Sequence, residues 1–128
     1  MRRILIVLLT CLGLAAPVTL TAAGTASAAS GSAQTTACNA GYVCIYEGDI
    51  WDGSSNHPKV YNLYYYGTYN VQNLIGDYTV VNCQTGGARV QGWTGYNATG
   101  SVAWDIGNNC SSGLWTDLTP TNSVRLYA

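Results

Sequence analysis

Residues 38–53 constrain the fold more than any other stretch: Cys38-Asn39-Ala40-Gly41-Tyr42-Val43-Cys44-Ile45-Tyr46-Glu47-Gly48-Asp49-Ile50-Trp51-Asp52-Gly53. Two cysteines with five residues between them can close a small covalent loop. β-Branched and aromatic residues fill positions 42–46, as strands prefer. The stretch ends in Tyr46-Glu47, Trp51 and Gly53, a spacing that suits a folded-over hairpin. Gly53 takes a positive φ there at little steric cost, and the rings of Tyr46 and Trp51 are expected to pack across the bend.

The chain repeats this beginning. Ala40-Gly41-Tyr42-Val43-Cys44-Ile45-Tyr46 lies 47 residues before Gly87-Ala88-Arg89-Val90-Gln91-Gly92-Trp93, so that Val43 falls on Val90, Tyr46 on Trp93 and Gly53 on Gly100. Trp51 falls on Ala98, leaving the second copy without its second ring. The later parts match at an offset of 44, Asn73-Leu74 on Asp117-Leu118 and Thr79-Val80 on Ser123-Val124. Strands are expected at 42–47, 59–65, 78–83, 88–93, 101–106 and 123–127, separated by turn-rich segments at 52–58, 85–87, 107–109 and 119–122. No stretch has a helical period. Two such units face to face make an all-β sandwich in which each covers the apolar face of the other.

The pattern Cys-x-x-Gly-Tyr-Val-Cys-Ile-Tyr-Glu from Cys38 to Glu47, followed by Trp51-x-Gly53, resembles the βγ-crystallin Greek-key motif. It does so in the version carried by secreted actinobacterial metalloproteinase inhibitors, peptidase inhibitor family 36. The resemblance covers nearly all of 38–128, closely in the first copy and loosely in the second. It implies a two-motif Greek-key βγ-crystallin-like sandwich, with motifs at 38–84 and 85–128. It also implies inhibition of an extracellular metallopeptidase through the loop around Cys83, Gln84 and Thr85. An inhibitor of that kind presents a loop already held in its bound conformation, which spares ordering entropy on docking. Here Cys83 has no cysteine close by in sequence, and Gln84 stands where a thermolysin-like enzyme favours an apolar residue.

Residues 1–28 read as a secretory signal peptide. Arg2 and Arg3 precede an apolar run from Ile4 to Leu14, Pro17 breaks it, and Ala26-Ser27-Ala28 is a small-residue cleavage site. The apolar run is shorter than the ~20 residues a membrane span needs, so no membrane association is expected after cleavage. A small polar leader follows at 29–37. Four cysteines then remain, Cys38, Cys44, Cys83 and Cys110. An even number in an exported chain reads as two disulfides with three possible connectivities. The local pair inside the family-like motif favours Cys38–Cys44, which leaves Cys83–Cys110. A zinc site fits poorly, because the single histidine, His57, is remote from any close cysteine pair.

Removing Arg2 and Arg3 from the five cations leaves Lys59, Arg89 and Arg125 against six acidic residues, a net charge of −3. So few cations make nucleic acid or an anionic membrane a poor partner. Catalysis finds no foothold: His57 lies in the turn Asn56-His57-Pro58-Lys59, expected to be solvated, and no nucleophile elbow accompanies it. Glu47, Asp49 and Asp52 read as solubilising turn acids rather than a glycosidase pair. The resemblance raises calcium, but the matching runs 75–80 and 120–123 offer Asp77 as their only carboxylate, against the six to eight oxygens calcium wants. No cofactor, metal or enzymatic activity is therefore expected, and the domain is expected to be monomeric. The cluster Tyr61, Tyr64, Tyr65, Tyr66 and Tyr69 supplies the second functional reading. Strand alternation would put Tyr64 and Tyr66 on one face. With Tyr69 they would form an aromatic surface for cell-wall carbohydrate or a protein partner.

Overall fold

The computed structural model describes residues 37–128; the signal peptide expected at 1–28, and the leader apart from Ala37, lie outside the described residues. Eight strands follow in order: β1 (Val43–Glu47), β2 (Lys59–Leu63), β3 (Gly67–Asn70), β4 (Asp77–Asn82), β5 (Arg89–Trp93), β6 (Val102–Gly107), β7 (Asn109–Asp117) and β8 (Ser123–Tyr127). They form two four-stranded antiparallel sheets, ordered β2-β1-β4-β7 and β3-β8-β5-β6. Each half of the chain keeps its first, second and fourth strands in one sheet and lends its third to the other. Thus β3 pairs with β8 and β7 with β4. The two sheet orders interchange when β1–β4 are exchanged for β5–β8.

The alternation of each strand builds the core between the sheets. Val43, Ile45, Tyr78 and Val80 from one sheet meet Val90, Trp104, Val124 and Leu126 from the other in a single buried cluster. Strand β1 is buried on both faces, because Cys44 and Tyr46 point the other way into a second cluster with Val81 and Cys83. Cys38, Tyr42 and Ile50 cover that outer cluster. Both disulfides form as expected, Cys38–Cys44 with Cα atoms 5.8 Å apart and Cys83–Cys110 with Cα atoms 4.3 Å apart.

The sequence repeat is a repeat of hydrogen bonds. Thr79 Oγ1 donates to Gly48 O at 2.7 Å and accepts from Ile50 N at 3.4 Å. Ser123 Oγ donates to Gly95 O at 2.6 Å and accepts from Ala98 N at 2.9 Å. Each hydroxyl, fully buried, thereby fastens the hairpin loop that follows the first strand of its own half.

Several expectations need correction. The strand expected at 59–65 stops at Leu63, and Tyr64, Tyr65 and Tyr66 form a bend before β3. Strands β3 and β7 were not expected at all, and only Asn108 separates β6 from β7. Gly53 takes the expected positive φ of 84°, and Trp51 lies over Gly113 of β7. A Cβ built on Gly113 would sit 2.8 Å from Cη2 of that indole. His57 is buried rather than solvated. Its Nδ1 lies 2.9 Å from Glu47 O and its Nε2 lies 3.0 Å from Asp52 Oδ1.

Candidate functional site

Three segments meet at one end of the β1–β4 ladder, and the covalent frame decides why. The Cys38–Cys44 disulfide folds the entering chain back, and Gly41 N then donates to Cys83 O at 2.8 Å while Cys83 N donates to Tyr42 O at 2.8 Å. Gly41 leaves room for the Tyr64 ring; a Cβ there would stand 2.9 Å from Tyr64 Cε2. Tyr64 packs against Tyr42 with ring centroids 4.9 Å apart, and Tyr65 meets Tyr64 edge-on at 5.1 Å. Tyr69 Oη donates to Tyr65 O at 2.7 Å and holds the bend from below. Gln84 Nε2 donates to Tyr64 O at 3.3 Å, joining the bend to the end of β4.

The result is a concavity of about 220 Å³ lined by Gly41, Tyr64, Tyr65, Tyr66, Gln84 and Thr85. None of these residues is Asp, Glu, Lys, Arg or His. The Tyr64, Tyr65 and Tyr66 side chains stand 49%, 75% and 55% exposed. Gln84 is only 7% exposed, and its Oε1 is buried without a hydrogen-bond partner. The segment behind it is braced by Asn82, whose Oδ1 accepts from Gln84 N at 3.1 Å and whose Nδ2 donates to Ala88 O at 3.1 Å.

The two surfaces read separately in the sequence are therefore neighbours. Of the aromatic candidates, Tyr64 and Tyr66 line the concavity. Tyr69 is half-buried in β3, packs against the core and supports the bend. Of the loop candidates, Cys83 and Gln84 are buried and Thr85 is exposed. Gly86 and Gly87 follow with φ of 71° and 78°, left-handed backbone rather than the extended form of a bound peptide substrate. Sequence reasoning left Tyr65 off the face of Tyr64 and Tyr66 and missed Gly41. Three consecutive tyrosines just before Gly67 were the available signal, read as a bend instead of a strand end. It read Trp51 only as a packing ring and passed over Trp115, both about half exposed on the outer face of the β2-β1-β4-β7 sheet.

Several titratable groups elsewhere are occupied by the fold. The Asp105 carboxylate accepts from Arg89 Nε and Nη2 at 3.0 and 2.8 Å, from Gln91 Nε2 at 2.9 Å and from Tyr127 Oη at 3.0 Å. Burial pushes its pKa up, but the hydrogen bonds from Gln91, Arg89 and Tyr127 outweigh this and hold it below the ordinary carboxylate range. Asp77, the sequence's candidate calcium carboxylate, stands opposite Asp117 in the β4–β7 register. Asp117 is held by Thr119 through its hydroxyl and its backbone N–H, which lower its pKa in that order. No cluster of three or more His, Cys, Asp or Glu side chains suited to a metal occurs among the described residues. No helix among those residues is long and apolar enough to cross a membrane.

Comparison with known proteins returns no matching protein family, no similar curated protein and no similar solved structure.

Proposed function

We propose that this chain is a non-catalytic recognition module of an exported protein, and that it binds its partner at the tyrosine-walled concavity. One observation carries this reading: segments distant in sequence are built into a single surface of exposed rings without an acidic or basic residue. Exposed aromatic rings that keep a polar tip are suited to recognition. The exchange of third strands between the sheets supports the two-motif Greek-key layout that the family resemblance implies.

The test replaces Tyr64 and Tyr66 by alanine and measures co-sedimentation with insoluble cell-wall material. Both residues are about half exposed and neither belongs to the buried core, so folding should survive. Retention of the wild type and its loss in the double variant is expected; equal retention of both would reject the surface.

Inhibition of an extracellular metallopeptidase is the second reading. What favours it is the bracing of 84–88 by Asn82 together with the Cys83–Cys110 bridge, since a held turn loses little entropy on docking. In that case Thr85-Gly86-Gly87 would supply the contacts. Titration against a thermolysin-like enzyme separates the two, because inhibition at micromolar protein belongs to this reading alone.

A further inference from the structure

Resting on the recognition reading, we propose that the ligand of the concavity is a neutral saccharide chain that stacks on the rings of Tyr64 and Tyr66. Four observations lead there. The first is charge: no lining residue is Asp, Glu, Lys, Arg or His, so nothing rewards an anionic or cationic ligand. The second is polarity: the hydroxyls of the three tyrosines and of Thr85 can each donate and accept, as sugar hydroxyls require.

The third observation is the arrangement of the rings. Tyr64, Tyr65 and Tyr66 project from one bend, fixed by Tyr42 against Tyr64 and by the Tyr69 hydroxyl on Tyr65 O. Rigid aromatic faces suit the apolar C–H face of a sugar ring, and their hydroxyls and that of Thr85 suit its rim. Tyrosine offers this contact with little side-chain entropy to lose. The fourth is size. At about 220 Å³ the concavity is smaller than the ~300–1,000 Å³ of pockets that engulf a small molecule. A chain of sugar rings would extend beyond it on either side.

The experiment is isothermal titration of the purified protein with a β-1,4-linked N-acetylglucosamine hexamer, with cellohexaose, and with an anionic oligogalacturonate. Saturable binding of at least one neutral sugar, none of the anionic one, and a tenfold or greater loss in Tyr66→Ala, at an exposed position, are expected. Preference for the anionic sugar, or no heat with either neutral sugar at millimolar concentration, overturns the saccharide assignment. If neither neutral sugar binds while the tyrosine double variant still loses retention on wall material, the ligand class falls and the recognition surface stands. If a neutral sugar binds the double variant as tightly as the wild type, the surface itself falls.

Discussion

His57 shows how one side chain decides the state of a loop. Its two ring nitrogens face two acceptors, Glu47 O and Asp52 Oδ1, and only the imidazolium carries a proton on both. The hydrogen bond to Asp52, then that to Glu47 O, raise the His57 pKa above 6.5, with Asp49 adding to the field. Reciprocally, His57 and then Ser54 N lower the Asp52 pKa below 3.8. The contribution of His57 is complete below pH 6.5 and is lost as pH rises through its raised pKa. That of Asp52 is complete above its ordinary value and is lost as pH falls through its lowered one. Amide exchange in 48–57, corrected for intrinsic rate, should therefore be slowest between about pH 4 and 6.5. It should quicken above that range, and His57→Gln should flatten the alkaline limb; a profile unchanged by the substitution would contradict the clasp. Histidine in a polar turn gives no such hint in sequence, because its acceptors depend on how the hairpin folds back.

Gly92 makes the complementary point about space. It pairs with Trp104 across β5 and β6, and the indole occupies the volume a Cβ would need. Trp104 is buried, with Nε1 donating to Thr121 Oγ1 at 3.0 Å. Gly92→Ala should cost about 1–3 kcal/mol by overpacking, read from the urea midpoint; an unchanged midpoint would mean the indole is not held there. The repeat aligned Gly92 with Ile45, so the sequence offered no reason for a glycine at that point.

At the scale of elements, the hairpin loops are held by Thr79 and Ser123. Thr79→Val keeps shape and removes a buried donor and acceptor, leaving Gly48 O short of a partner. Ser123→Ala does the same to Gly95 O. Each should destabilise by about 1–3 kcal/mol in chemical denaturation. Loss of stability in one variant only would show that the two halves are not fastened alike. These positions were legible as a repeat because an offset of 44 kept Thr-Val over Ser-Val. Strands β3 and β7 were not legible. Gly67 and Asn70 leave β3 only two strand-favouring residues, Asn109-Cys110-Ser111-Ser112-Gly113 are poor strand formers, and both β3 and β7 lie at sheet edges where one side is solvated. What makes them strands is pairing with the other half, a non-local cause.

At the scale of the whole molecule, the exchange of β3 and β7 gives neither half a complete sheet of its own. The sequence showed the all-β class and the duplication, because alternation is local, and of three disulfide connectivities it favoured the one that forms, through the family-like motif around Cys38 and Cys44. It did not show that the tyrosine bend and the end of β4 form one surface, since that follows from Gly41, Tyr42 and Cys83 meeting through two backbone hydrogen bonds. The most direct test of that surface is an amide chemical-shift titration of the labelled protein with solubilised cell-wall polysaccharide. Shifts confined to residues 41–42, 64–66 and 84–85 are predicted. Shifts centred on Trp51 and Trp115 instead, or none at saturating polysaccharide, would contradict it.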